Sequence, residues 1–170
     1  MYKKVERSFR DLAIDFSTDE KFLSMYATDE SIFSVMPKMV VIPHDADEVQ
    51  TIVRIVSEYT KEYPEISLTV RAAGTGLSGG SLNDSIIMDM KNLSGMEELV
   101  RDGEEGATLR VAPGTYFRDI HALAEKEDLF FPSFPSSWRL CTIGGMVANN
   151  AAGPNSLKYG HTSELSLIHI

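Results

Sequence analysis

The pattern of hydrophobic and polar positions alternates between helical and strand-like spacing along the chain. Apolar residues recur every three or four positions in some segments, which is typical of helices with one buried face. They form short continuous runs in others, which is typical of buried strands. The predicted helices cover residues 5–14, 18–25, 46–62 and 116–126. The predicted strands cover residues 39–42, 68–71, 86–90, 96–100 and 107–112.

The helix predicted over residues 46–62 carries the clearest local signals. Asp45, with Glu48 three residues later, resembles a capping box, and Pro64 ends the helical segment. Apolar positions at helical spacing predict a face packed on a sheet, formed by Val49, Ile52, Val53, Val56 and Tyr59. The polar positions Gln50, Arg54 and Glu58 are expected to stay in solvent. With the strands on either side, this helix predicts a βαβ unit.

Two further signals lie in the second half of the chain. The polar residues 102–106 separate two strand candidates and predict a solvated hairpin turn. Thr115 is expected to cap the helix over residues 116–126. The buried face of that helix would carry Tyr116, Ile120, Leu123 and Ala124.

A glycine-rich loop, residues 71–81, follows the strand predicted over residues 68–71. It contains four glycines, two serines, a threonine and no acidic residue. Its backbone N–H groups can therefore converge on an anion without a Cβ atom or a carboxylate in the way, and the anion that this predicts is a diphosphate. A structural turn or bulge is an equal alternative for this loop alone.

The same loop matches the dinucleotide fingerprint at Gly74, Gly76 and Gly79, but its context is different. Only residues 82–85 separate it from the next predicted strand. This connection is too short for the crossover helix of a Rossmann unit. A kinase loop would need a Val-Ala-Ile-Lys strand soon after, and a Walker A loop would need Gly-Lys-Ser/Thr. Neither occurs, so any cradle here is made by the loop amides.

A second segment, residues 141–153, combines small residues with two amide side chains. Such a segment lets the backbone lie close against a flat or extended ligand. Tight packing of two elements of the chain is the alternative.

With residues 158–162, the two motifs resemble the FAD-binding domain of the vanillyl-alcohol-oxidase (PCMH) type, in order and spacing, from about residue 26 to 164. The amino-acid sequences of these motifs are similar to those of D-lactate dehydrogenase and glycolate oxidase flavoprotein subunits and related 2-hydroxyacid dehydrogenases. The resemblance implies an α+β fold of two α/β subdomains, incomplete at its carboxyl end. It also implies FAD-dependent oxidation of a 2-hydroxyacid to a 2-oxoacid.

The resemblance further implies which residues contact FAD. The first motif would bind the diphosphate through Ala73, Gly74, Thr75, Gly76, Leu77, Ser78, Gly79, Gly80 and Ser81. The residues beside the flavin and diphosphate would be Pro113, Ser137, Cys141, Thr142, Gly144, Gly145, Asn149 and Gly153. The family often has Pro-Asp-Pro where this chain has residues 131–137, which contain no acid. The first loop contains no histidine, so FAD is expected to be non-covalent.

Composition agrees with these expectations. The 170 residues, 43% of them hydrophobic, suffice for one domain with a sizeable core. The net charge of −9 argues against nucleic-acid binding, which needs a cationic footprint. The single cysteine, Cys141, is expected to be a buried inert thiol. No signal peptide or bilayer-spanning stretch occurs, which predicts a cytoplasmic protein, with peripheral contact to the inner membrane left open.

No catalytic residue is assigned, and no metal site is predicted because His44, His121 and His161 lack ligand spacing. Arg71 and Lys158 are the cations best placed to meet diphosphate or substrate charge, although solvated or salt-bridged roles are favoured for both. The electron acceptor would be a quinone, a cytochrome, an iron–sulfur protein or oxygen.

Three segments are predicted: a helical extension over residues 1–36, a partial FAD-binding domain over 37–164, and a tail over 165–170. The tail resembles the translation of a sequencing-adapter end and is expected to be non-native, on a truncated gene. Two alternatives to 2-hydroxyacid oxidation stay open. One is another FAD-linked enzyme, such as an alcohol or sugar oxidase or a UDP-N-acetylmuramate reductase. The other is a noncatalytic nucleotide-binding module.

Overall fold

The computed structural model describes residues 1–103 and 106–165, which fall into two compact units, Met1–Leu93 and Ser94–Ile170. The first unit contains α1 (Tyr2–Asp11), β1 (Phe16–Ser17), α2 (Glu20–Ser24), β2 (Met39–Val41), α3 (Ala46–Glu62), β3 (Leu68–Arg71) and β4 (Ile86–Asp89). The second contains β5 (Val100–Asp102), β6 (Gly106–Thr108), α4 (Phe117–Lys126), α5 (Ile143–Ala148), α6 (Ser156–Tyr159) and α7 (Thr162–Leu165). The domain boundaries at residues 36 and 164 stay predictions.

The sheet of the first unit has the strand order β1-β2-β4-β3. Strand β4 runs parallel to both β2 and β3, with Ile86 in register with Met39 on one side and with Leu68 on the other. The predicted βαβ unit is therefore present, with β4 inserted between its two strands. Parallel neighbours are ordinarily joined through a helix. Here β3 and β4 are joined by residues 72–85, which contain no helix, as the sequence indicated.

Both faces of this sheet are covered. On one face, α1 and α3 pack on the strands around a core of Val5, Phe9, Ile14, Met39, Val41, Ile52, Ile55, Val56, Ile66, Ile86 and Met88. On the other face, Val40 and Ile87 pack with Leu23 and Tyr26. Successive side chains of a strand point to opposite faces, which is why β2 and β4 read as continuous apolar runs.

Helix α3 begins and ends as predicted. Its capping box is confirmed on one side, since the backbone N–H of Glu48 donates to Asp45 Oδ1 at 2.8 Å. The Glu48 carboxylate accepts from the backbone N–H of His44 at 2.9 Å. The placement of Val53 in the core was wrong, because its side chain is 46% exposed and Ile55 is buried. These two residues lie at opposite edges of the apolar arc, and the sheet covers the edge that carries Ile55.

The second unit begins with a hairpin, as predicted, but its strands are shorter than the predicted 96–100 and 107–112 and lie closer to the turn, at Val100–Asp102 and Gly106–Thr108. Strands β5 and β6 pair antiparallel with Val100 opposite Thr108, and an isolated bridge between Met96 and Val111 extends the pairing. Residues 104–105 of the turn lie outside the described residues, so its predicted solvation is not described. The same holds for residues 166–170, and the interpretation of the tail stays a prediction.

The predicted cap of α4 was wrong. Tyr116 occupies the N-cap position, and Thr115 is buried with its hydroxyl oxygen 3.0 Å from the backbone nitrogen of Gly95 and 2.9 Å from its carbonyl oxygen. Thr115 therefore ties two loops together and leaves the helix end without a side-chain cap. The core of this unit centres on Phe117, a residue outside the predicted face, together with Ile120.

No helix in the parts of the chain described above is long and apolar enough to cross a bilayer.

Candidate functional site

The glycine loop presents a row of unpaired donors. Every residue from Ala73 to Ser81 carries a backbone N–H group, and none of these groups donates a hydrogen bond to any described residue. Ala73 to Gly76 are also only half exposed. Partly buried N–H groups normally find a partner within the protein, in water or in a ligand. Successive unpaired N–H groups in a concave loop favour an anion.

The glycines of this loop differ in what they do. Gly74 and Gly79 have φ angles of +70° and +75°, in the left-handed region that side chains rarely adopt. A Cβ atom on Gly79 would also lie 2.8 Å from Cδ2 of Phe33. Gly76, by contrast, has no heavy atom within 4 Å of the place a Cβ atom would take. Gly74 and Gly79 therefore set the shape of the loop, whereas Gly76 keeps a space open.

A segment near the amino terminus holds the loop in place. We call residues 26–34 the clasp segment. The backbone N–H of Glu30 donates to the carbonyl oxygen of Gly74 at 3.2 Å, and the Ser81 hydroxyl donates to Asp29 Oδ2 at 2.9 Å. The clasp segment thus bonds to the loop near both of its ends. Local sequence patterns gave no signal for this contact, because it joins residues that lie far apart in the chain.

Charged residues surround Tyr26, the first residue of the clasp segment. Its hydroxyl donates to Asp89 Oδ2 at 2.6 Å, and Lys91 Nζ lies 3.1 Å from the same oxygen. Burial, followed by the bond to Asp89, raises the pKa of Tyr26 above its ordinary range. Arg71 donates to the carbonyl oxygens of Tyr26 at 3.4 Å and Thr28 at 2.8 Å.

Arg71 differs from its sequence-based expectation. It is neither solvated nor salt-bridged, since it is 8% exposed and no described carboxylate lies within 4.0 Å of its guanidinium. Lys158 is closer to its expected solvated role, because it is exposed. Its Nζ lies 4.8 Å from the centroid of the Tyr159 ring. The bond to Tyr159 raises the pKa of Lys158.

In the second unit, two glycines allow the chain to pack closely on itself. A Cβ atom on Gly144 would lie 2.7 Å from Cβ of Pro113, and the Gly144 N–H donates to the Pro113 carbonyl oxygen at 2.9 Å. A Cβ atom on Gly153 would overlap the carbonyl oxygen of Phe134. For Gly144 and Gly153 the structure therefore supports tight packing, the alternative left open by the sequence.

Thr142 is the clearest candidate contact in this unit. It precedes α5, is 1% exposed, and its hydroxyl oxygen is buried without a hydrogen-bond partner among the described residues. An unsatisfied buried hydroxyl is costly, and native proteins contain few of them. The Thr142 hydroxyl is therefore available to bond a ligand or a water molecule.

The other candidates of the second unit lie around Thr142. The Cys141 N–H donates to the Ser137 carbonyl oxygen at 3.0 Å, and burial raises the pKa of the Cys141 thiol. The Asn149 side-chain amide donates to the Gly145 carbonyl oxygen at 3.1 Å. The structure thus brings together, in one part of the unit, Pro113, Ser137, Cys141, Thr142, Gly144, Gly145 and Asn149, and their contact with the cofactor stays a prediction.

The three histidines among the described residues offer no clear base. Each has a carboxylate within 4.0 Å at helical spacing: His44 with Glu48, His121 with Glu125 and His161 with Glu164. His121 also stacks on Trp138 with ring centroids 4.9 Å apart. These contacts account for the three side chains as surface and packing groups.

Comparison with known proteins identifies the family. Residues 37–167 match the family described as FAD binding domain, so the chain belongs to that family. Among curated relatives, the D-2-hydroxyglutarate dehydrogenase of Pseudomonas putida is 32% identical over 87% of this chain and 14% of its own length. The glycolate oxidase subunit GlcD of Bacillus subtilis is 32% identical over 78% of this chain and 27% of its own.

A third relative is the D-lactate dehydrogenase of Archaeoglobus fulgidus, 32% identical over 79% of this chain and 30% of its own. The chain thus spans less than a third of the length of each of these relatives. Among solved structures, an alkyldihydroxyacetonephosphate synthase superposes with a TM-score of 0.68 and 18% identity, over 88% of this chain and 29% of its own. The predicted α+β fold of the vanillyl-alcohol-oxidase type is confirmed, and so is FAD as the cofactor.

The residues present fit FAD. A dinucleotide brings a diphosphate, and the loop from Ala73 to Ser81 offers unpaired N–H groups for it, with open space beside Gly76. Thr142 offers a buried hydroxyl without a partner.

Proposed function

We propose that this chain is the FAD-binding part of a flavin-dependent oxidoreductase that oxidises a 2-hydroxyacid to a 2-oxoacid. The row of unpaired backbone N–H groups from Ala73 to Ser81 is the observation that carries the cofactor assignment. The names of the relatives support the substrate class, because 2-hydroxyglutarate, glycolate and lactate each carry a hydroxyl on the carbon beside a carboxylate.

Each part of the candidate site has a distinct task in this proposal. The loop amides bind the diphosphate, and Gly76 leaves room for it to approach the backbone. Thr142 donates or accepts a hydrogen bond beside the flavin or diphosphate, and Pro113, Gly144 and Gly145 form the surface next to it. When bound, FAD supplies the two-electron acceptor for hydride removal from the substrate. The chain's own residues orient the cofactor and exclude water from it.

The reaction partners are part of the proposal. Electrons would leave the flavin for a quinone, a cytochrome, an iron–sulfur protein or oxygen, and the protein would work in the cytoplasm or at the inner face of a membrane. The base and the substrate-binding groups are not assigned to residues of this chain.

Cofactor binding is tested by mixing the purified protein with FAD, removing free flavin and recording the absorbance spectrum. We expect a yellow protein that releases all of its flavin on denaturation, because the loop contains no histidine for a covalent bond. Gly76→Val should abolish the colour without unfolding the chain, since its side chain would fill the open space. A folded, colourless wild-type protein would refute the assignment and favour a noncatalytic module.

The oxidation is tested on the product of the complete open reading frame. Anaerobic addition of D-lactate, glycolate or D-2-hydroxyglutarate should bleach the flavin. Bleaching by simple alcohols or sugars alone would support the alternative FAD-linked oxidases.

A further inference from the structure

Arg71 is a buried cation placed beneath the glycine loop. It is the last residue of β3 and is 8% exposed. Its side chain folds back under Gly74, where a Cβ atom would lie 2.5 Å from Nη2 of Arg71. The guanidinium and the loop amides therefore belong to one contiguous part of the first unit.

The hydrogen bonds of Arg71 do not neutralise it. Its described acceptors are the backbone carbonyl oxygens of Tyr26 and Thr28, which carry no net charge. Asp89 stands opposite Arg71 in the sheet, but its carboxylate is engaged by the Tyr26 hydroxyl and by Lys91.

Asp29 is the other acidic group of this region. Although burial opposes it, bonds from Ser31 and Ser81 and the charge of Arg71 lower the pKa of Asp29. Its two oxygens accept from the backbone N–H of Ser31 and the hydroxyl of Ser81, each at 2.9 Å. Asp29 thus feels the charge of Arg71 without forming an ion pair with it. A buried charge without a direct counter-charge is costly, and an anion bound nearby reduces that cost.

We propose that Arg71 is a positioning residue that also supplies the positive charge for the diphosphate, acting from beneath the loop rather than by direct contact. This inference rests on the proposed FAD binding. The N–H groups of the loop orient the diphosphate, and the buried guanidinium attracts it by its charge. The low exposure of Arg71 limits the screening of that charge by water and salt.

Two substitutions separate charge from structure. Arg71→Gln removes the charge but keeps a side-chain donor for the carbonyl oxygens of the clasp segment, whereas Arg71→Lys keeps the charge. Lys91→Gln is the matched control, because Lys91 is 40% exposed and already paired with Asp89. For each protein, the dissociation constants for FAD and for inorganic pyrophosphate are measured by titration calorimetry at several salt concentrations, and the Tm is measured without ligand.

We expect Arg71→Gln to weaken binding of both ligands about 10- to 100-fold, with little change in the salt dependence, because salt screens a buried charge only weakly. Arg71→Lys should recover most of the affinity, and Lys91→Gln should change it by less than about 3-fold. Among the wild type and the two Arg71 variants, the affinity for both ligands should depend on the charge at position 71, even if the Tm does not.

The outcomes distinguish the two proposals. Wild-type affinity for FAD in Arg71→Gln overturns the inference and leaves the proposed function standing. Equal losses in Arg71→Gln and Arg71→Lys show a purely structural role and also overturn it. If Arg71→Gln does not fold, the wild-type protein decides, since absence of any rise in Tm with millimolar pyrophosphate refutes a charge complement at this loop. A wild-type protein that binds no FAD refutes the proposed function itself.

Discussion

The hydroxyl of Tyr26 donates a 2.6 Å hydrogen bond to the carboxylate of Asp89 and so joins the clasp segment to the carboxyl end of β4. Asp89 is buried, and a buried carboxylate that loses a donor keeps the cost of its burial. We therefore expect Tyr26→Phe to lower the free energy of unfolding by about 1–3 kcal/mol at pH 7. Urea denaturation of the two proteins measures this difference.

The same pair predicts behaviour at high pH. Because burial and the bond to Asp89 raise the pKa of Tyr26, the folded protein holds the phenolic proton more tightly than the unfolded chain does. The resulting stability is fully present below the unfolded value of 10.0 and is lost as the pH rises toward the folded pKa. Tyr26→Phe should lack this part of the alkaline decline. Parallel declines in both proteins above pH 10 would contradict it.

Gly79 and Gly76 should respond differently to alanine. Gly79→Ala places a side chain in the left-handed region, which costs about 1–2 kcal/mol, and its Cβ atom would clash with the Phe33 ring at 2.8 Å. Gly76→Ala should change stability by less than about 0.5 kcal/mol, because the space beside it is open, yet it should weaken FAD binding. Chemical denaturation and FAD titration measure the two effects. Adding Phe33→Ala to Gly79→Ala should restore only the part of the lost stability that comes from the clash with the Phe33 ring.

Substitution of Thr142 should move stability and cofactor affinity in opposite directions. Thr142→Val removes a buried hydroxyl without a described partner, so we expect the ligand-free protein to be unchanged or stabilised by up to about 1 kcal/mol. The same change should weaken FAD binding about 10-fold, the effect of one lost hydrogen bond.

Thr142→Ser is the matched control for that prediction. It keeps the hydroxyl and loses a buried methyl group, so it should cost about 0.8 kcal/mol of stability and leave FAD affinity near the wild-type value. Strong destabilisation by valine would show that the hydroxyl already has a partner within the protein.

Cys141 should be chemically silent in the native state. Burial raises the pKa of its thiol, so little thiolate forms near neutral pH and reagents cannot reach it. We expect labelling by a disulfide reagent at pH 7.5 to be about 100-fold slower in native protein than in urea. Cys141→Ser provides the blank, since the chain has no other cysteine. Rapid labelling of the folded protein would contradict this account.

The elements that the sequence predicted well are those with local causes. Helix α3 was located from its cap at Asp45 and its apolar spacing, and the glycine loop from its position between two strands. The errors lie where neighbours far along the chain decide the outcome. The sheet buries Ile55 in place of Val53, and Thr115 bonds Gly95 instead of capping α4.

The candidate site was predictable in part for the same reason. Glycine spacing identified the loop, but nothing in that spacing distinguishes Gly76, which keeps a space open, from Gly79, which packs against Phe33. The clasp segment and the burial of Arg71 depend on tertiary contacts that span about 45 residues, as between Tyr26 and Arg71. Such contacts leave no periodic trace in a single sequence.

The position of β4 between β2 and β3 has a consequence for biosynthesis. Strand β4 is the last strand of this sheet to be translated, so β2 and β3 have no common partner on the ribosome until residue 89 has emerged. The glycine loop at the end of β3 can therefore take its final shape only after β4, which follows it, has been synthesised. If the loop binds the diphosphate as proposed, the nascent chain cannot hold that group before β4 has paired with its two neighbours.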